Sequence, residues 1–170
     1  MSYLPKKITN IKVGTITLPT SGVSVSLASP KVTLSSIDWG TSNGLATVSN
    51  NNIVLSPNKK YILQATLSSN TYVTNGWNSD RKFMWYNETT SSWIGKLGYQ
   101  GDANESWGSG ELIRSDEAAR VVLINGNSNT NISLKYSGTT NQSYLVGGKY
   151  NGGVMSYLTG YGRLEIWEFS

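Results

Sequence analysis

Neither cysteine nor histidine occurs in the 170 residues. Their absence excludes disulfides, thiol nucleophiles, histidine-based triads, c-type haem attachment and the usual Cys/His zinc centres. Charge is scarce as well. Charged residues make up 14% of the chain, and 14 basic against 10 acidic side chains leave a net charge of +4. The basic residues are scattered, whereas nucleic-acid binders cluster them on a face or stripe, so no nucleic-acid partner is expected. There is no apolar run near the roughly 20 residues of a membrane span. The opening Met1-Ser2-Tyr3-Leu4-Pro5-Lys6-Lys7 lacks a signal-peptide core. The expectation is a soluble protein made in a cytoplasm, with no membrane insertion. Phenylalanine occurs only twice, so the aromatic content rests on 6 Trp and 10 Tyr.

What fills the chain is small and polar: 24 Ser, 18 Gly, 17 Asn and 16 Thr, 75 of the 170 residues. This composition disfavours long helices and favours strands joined by turns. The length suits one domain that can bury a core without staples. Ile11–Leu18 is rich in β-branched residues, Val23, Val25 and Leu27 alternate with serines, and Lys31–Leu34 follows Pro30. Ile53–Leu55 is a short strand, Ser56–Lys59 is a turn with Pro57 at its second position, and Tyr61, Leu63, Ala65 and Leu67 alternate cleanly. Arg81–Tyr86 and Trp93–Leu97 read as a hairpin across Asn87–Ser92. Gly98–Gly110 reads as a loop, Glu111–Arg114 as a short strand, and Ser115–Arg120 as one helical turn capped by Ser115. Val121–Ile124 and Ile132–Tyr136 read as a second hairpin around Asn125-Gly126. Gly162–Phe169 is the last strand. Eight to ten strands with negligible helix predict an all-β sandwich or barrel. Residues 1–35, poor in aromatics, are expected to form an N-terminal arm or docking strands, and residues 36–170 the sandwich.

From Trp39 onward the pattern resembles the C1q/TNF-like jelly rolls. The residues that carry the likeness are Ile53, Leu55, Tyr61, Leu63 and Ala65 in "NIVLSPNKKYILQATLS", then Gly162, Leu164 and Ile166 in the closing "GRLEIWEF". Lys60 stands where that family has a glycine before the tyrosine. The style is also similar to small bacteriophage virion proteins: capsid decoration proteins, head fibres and receptor-binding tips. The resemblance implies a trimeric jelly-roll β-sandwich with a short extended arm. It also implies a terminal strand near the threefold axis and a role in assembly or recognition without catalysis.

The residues themselves offer little chemistry. Asp38, Glu88, Asp102, Glu105 and Glu111 are the carboxylates a glycosidase would pair, but no spacing pairs them. Asp102-Ala103-Asn104-Glu105 lacks the ligand run of a calcium loop. Ser56-Pro57-Asn58-Lys59 has the letters of a Ser-x-x-Lys motif but lies in a turn. The glycine pairs at 147–148 and 152–153 do not sit between a strand and a helix, as a phosphate cradle requires. No catalytic residue, metal or cofactor is therefore expected. In the terminal strand, alternation places Leu164 and Ile166 on one face and Trp167 and Phe169 on the other. A strand apolar on both faces needs two covers, so these four residues are the expected subunit interface. Trp77 and Trp107, among Asn, Gly and Ser, are the expected ligand-stacking aromatics. The leading functional expectation is a homotrimeric phage virion protein that decorates or cements the capsid, partnered by the major capsid protein or another virion protein. The alternative is a receptor-binding tip that recognises a bacterial surface glycan.

Overall fold

The computed structural model describes residues 10–19, 23–70, 83–100, 115–138, 144–146, 149–151, 154–156 and 162–169. Alternating apolar residues turn into strands because a pleated chain sends successive side chains to opposite faces. In chain order these are β1 (Ile11–Thr17), β2 (Val23–Val25), β3 (Ser36–Asp38), β4 (Thr47–Ser49), β5 (Asn52–Leu55), β6 (Lys60–Asn70), β7 (Phe83–Asn87) and β8 (Ser92–Ile94). They continue as β9 (Lys96–Gln100), β10 (Ser115–Ile124), β11 (Thr130–Tyr136), β12 (Tyr144–Val146), β13 (Lys149–Asn151), β14 (Val154–Ser156) and β15 (Gly162–Phe169). No helix occurs among the described residues, and every strand pairing is antiparallel.

Two sheets face one another across a single core. In the eight-stranded sheet, β6 is central: β10 and then β9 lie on one side, and β15, β1 and β3 on the other, with β12 and β2 joined at the far end of β6. The five-stranded sheet has the order β4-β5-β11-β7-β8, and β13 and β14 form a separate ribbon. Tyr61, Leu63, Ala65, Leu67, Leu164 and Ile166 from the larger sheet meet Ile53, Leu55, Phe83, Trp85, Ile132, Leu134 and Tyr136 from the smaller. Trp85, Tyr61, Tyr136 and Phe83 are the largest side chains fully buried, so aromatics supply much of a core that has few phenylalanines. The all-β reading is therefore the observed one, in the form of a two-sheet sandwich.

Both lateral edges have a device that links the layers. At one, β8 of the smaller sheet runs through Gly95 into β9 of the larger, and Gly95 takes a left-handed φ of +79° at this corner. At the other, Trp39 follows β3 and donates its indole N–H to the carbonyl of Ala46, just before β4. Its ring leaves no room beside Gly44, where a Cβ would fall 2.3 Å away.

Four expectations are corrected. Residues 115–120 are not a helical turn but the start of β10, which pairs with β6 from Ser115↔Ser69 to Ile124↔Lys60. The Asn125-Gly126 segment does not close a hairpin, because β10 belongs to the larger sheet and β11 to the smaller. Asn125 instead ties this crossover down: its amide donates to the carbonyls of Leu55, Ser56 and Ser128, and its carbonyl accepts from Thr130 Oγ1. Nor does residue 36 mark a division. β1 lies between β15 and β3, and Ile16, Val23, Val25, Val32 and Leu34 are buried in the common core. Of the loop expected at 98–110, residues 98–100 belong to β9, which ends at Gln100, and the rest lies outside the described residues. The strand expected at 111–114 lies outside the described residues.

Candidate functional site

An antiparallel sheet in a sandwich normally presents polar side chains on its outer face. The larger sheet departs from this rule along one row. Val13 of β1 stands opposite Trp167 of β15, Trp167 opposite Ile62 of β6, and Ile62 opposite Val122 of β10. All four have the outward parity of their strands, because their chain neighbours Gly14, Leu63, Val121 and Ile166 are buried. In the next row Ile11 stands opposite Phe169, and Phe169 opposite Lys60. Val122 is 66% exposed, Ile11 57% and Val13 44%, with Trp167, Phe169 and Ile62 half-buried between them. The row on the other side is polar: Thr15, Glu165, Gln64 and Arg120. An apolar centre with a polar border is the anatomy of a protein–protein contact, and contiguous apolar patches on a monomer's surface are commonly functional. Beside Val122 lies a depression of about 610 Å³, lined among the described residues by Ile94, Gly95 and Arg120–Leu123.

The outer face of the smaller sheet has a different character. Trp93 of β8 stands opposite Tyr86 of β7, and Tyr86 opposite Ser133 of β11. The Trp93 and Tyr86 rings meet edge-to-face, with centroids 5.1 Å apart at 78°. The Lys135 ammonium sits 3.5 Å above the Tyr86 ring centre. Lys31 bridges to Lys135 through the backbone, and both ammoniums reach Glu88, at 3.2 and 3.1 Å from Oε1. Ser133 Oγ donates to the same carboxylate at 2.8 Å. Burial works to raise the Glu88 carboxyl, but the bonds from Ser133, Lys135 and Lys31 together outweigh it and hold the group below the usual carboxylate range. Glu88 is thus a fixed negative charge at neutral pH.

The four expected interface residues therefore separate. Trp167 and Phe169 lie on the outer face, while Leu164 and Ile166 are sealed in the chain's own core. β15 is an interior strand, flanked by β6 and β1. Trp77 and Trp107 lie outside the described residues. Strand alternation alone marks the outward parity of Trp167 and Phe169. Their partners Val13, Ile62 and Val122, and the cluster around Trp93, emerge only from the pairing of strands distant in the chain. Among the described residues no group of three or more acidic side chains could hold a metal ion, and no helix is long and apolar enough to cross a membrane. Compared with known proteins, the chain matches no family model, no curated protein and no solved structure.

Proposed function

We propose that this protein is a non-catalytic assembly protein, a homotrimeric jelly roll of a bacteriophage virion that decorates or cements the capsid. The observation that carries the assembly reading is the apolar row Val13–Trp167–Ile62–Val122 across four strands of one outer face. Fully burying a side chain of this kind contributes about 1.5–3 kcal/mol, so a subunit neighbour is a favourable cover. The patch is bulky and aromatic at Trp167 and at Phe169 of the next row, and the row ends at Val122 beside the depression. A contact that joins the aromatic part of one such patch to the Val122 side of another is head-to-tail, and head-to-tail contacts form closed rings where their rotation closes. This agrees with the trimer that the C1q/TNF resemblance implies. The phage setting rests on that resemblance and on a Cys-free, Asn/Ser/Thr/Gly-rich composition.

Sedimentation of the purified chain tests the reading. A trimer is expected at micromolar concentration, and a monomer overturns it. Val122→Glu and Val13→Lys place charges on exposed positions, so both variants are expected to keep the wild-type circular dichroism yet sediment as monomers. Folded variants that remain trimeric would move the interface elsewhere on the surface. Imaging of intact virions would then distinguish a head location from a tail location.

A further inference from the structure

We propose that the outer face of the smaller sheet around Trp93 binds acidic saccharides. Trp93 is 46% exposed on β8, the edge strand of its sheet. An indole offers a flat apolar surface that matches the C–H face of a pyranose ring, provided that polar groups stand beside it to fix the sugar's orientation. Here they stand close by: Lys135 of β11 over the neighbouring Tyr86 ring, then Glu88 in the turn after β7, and Lys31 paired with Lys135.

The charge count selects the class of sugar. Two ammoniums share one carboxylate. Glu88 is already engaged by Ser133, Lys31 and Lys135, so it has little capacity left to accept bonds from sugar hydroxyls. An ammonium has three donors and no acceptor, and Glu88 is the one carboxylate that Lys31 meets among the described residues. The free hydrogen-bonding capacity is thus donor capacity with an excess positive charge, which suits a sugar carboxylate.

The site is also held in place before any ligand arrives. Asn87 Oδ1 accepts from the backbone N–H groups of Thr89 and Thr90, which fixes the β7–β8 turn. Glu88 N–H donates to the Asn131 carbonyl, and Asn131 N–H donates to Thr89 Oγ1, which pins that turn to β11. A preformed surface loses little ordering entropy on binding. The site lies on the opposite sheet from Val122 and Trp167, so it does not depend on the assembly reading.

Affinity electrophoresis through gels containing polygalacturonate, hyaluronan or polysialic acid tests the proposal, with dextran as the neutral control. Retardation is expected in at least one acidic gel and not in dextran. Trp93→Ala should weaken it by about tenfold or more, the equivalent of one lost aromatic contact. Lys31→Met should weaken it several-fold, and Trp93→Phe should retain part of it. Trp93 is exposed and Lys31 part-exposed, and unchanged circular dichroism will confirm that the variants fold. Four results would overturn the proposal: no retardation in any acidic gel, equal retardation in dextran, wild-type retardation of Trp93→Ala, or tighter binding to oligothymidylate than to every acidic saccharide. The third would mean only diffuse attraction between a basic chain and a polyanion.

Discussion

Glu168 is 1% exposed, yet it carries a carboxylate. Its Oε2 accepts from the backbone N–H of Leu45 at 2.8 Å and from the Tyr61 hydroxyl at 3.2 Å, and the Lys12 ammonium lies 3.8 Å from Oε1. The Tyr61 hydroxyl in turn accepts from Ser56 N–H, so one phenol joins β6, β15 and the turn after β5. Burial, and then the Glu168 charge, push the Tyr61 phenol from 10.0 up to about 12. The sign of the linkage follows. An unfolded chain loses this proton near pH 10 and the folded one near pH 12, so the contribution is complete below the first value and is lost as pH rises through the second. Tyr61→Phe is expected to cost about 1–3 kcal/mol near neutral pH, because it leaves buried polar groups without their partner. It should also make the fall in stability between pH 10 and 12 shallower than in the wild type. Urea midpoints across that window check both statements.

Elements, rather than single contacts, define the corner at Gly95. A Cβ there would lie 2.7 Å from the Arg120 carbonyl and 2.7 Å from Val121 Cβ, on a residue already at φ +79°. Gly95→Val therefore combines left-handed strain with overpacking, and a loss of about 2–5 kcal/mol is expected from the two together. Gly126→Ala, with open space around it, is the matched control and should change the urea midpoint little. The same strands show what could be read in advance. β6 was legible because Tyr61, Leu63, Ala65 and Leu67 keep a strict period of two, and β15 because its two faces are both apolar. β10 was not: Ser115 followed by Glu117, Ala118 and Ala119 has good local helix chemistry, but ten consecutive pairings with β6 override it. Asn125-Gly126 has local turn chemistry that says nothing of whether its flanking strands share a sheet. The apolar row and the Trp93 face were hidden for a related reason. Trp167, Ile62 and Val122 become neighbours only through the strand order, and Lys31, Glu88 and Lys135 meet only because three distant segments pair side by side.

The whole molecule closes around β15. This strand pairs with β6 along one edge and β1 along the other, so segments far apart in the chain form the middle of the larger sheet. Removal of residues 1–30 should therefore unfold the protein rather than free an arm, since it takes Ile16, Val23 and Val25 from the core and strips β15 of a neighbour. Far-ultraviolet circular dichroism of the truncated chain checks this, and a folded, β-rich product would contradict it. The same placement governs when the outer row becomes continuous. During translation Val13 and Ile62 are made early, but they have nothing between them until β15 leaves the ribosome and brings Trp167 to the gap. The row is thus completed by a strand made long after the two that flank it. Growing chains that share one messenger carry only fragments of the row until β15 has emerged and taken its place between β6 and β1.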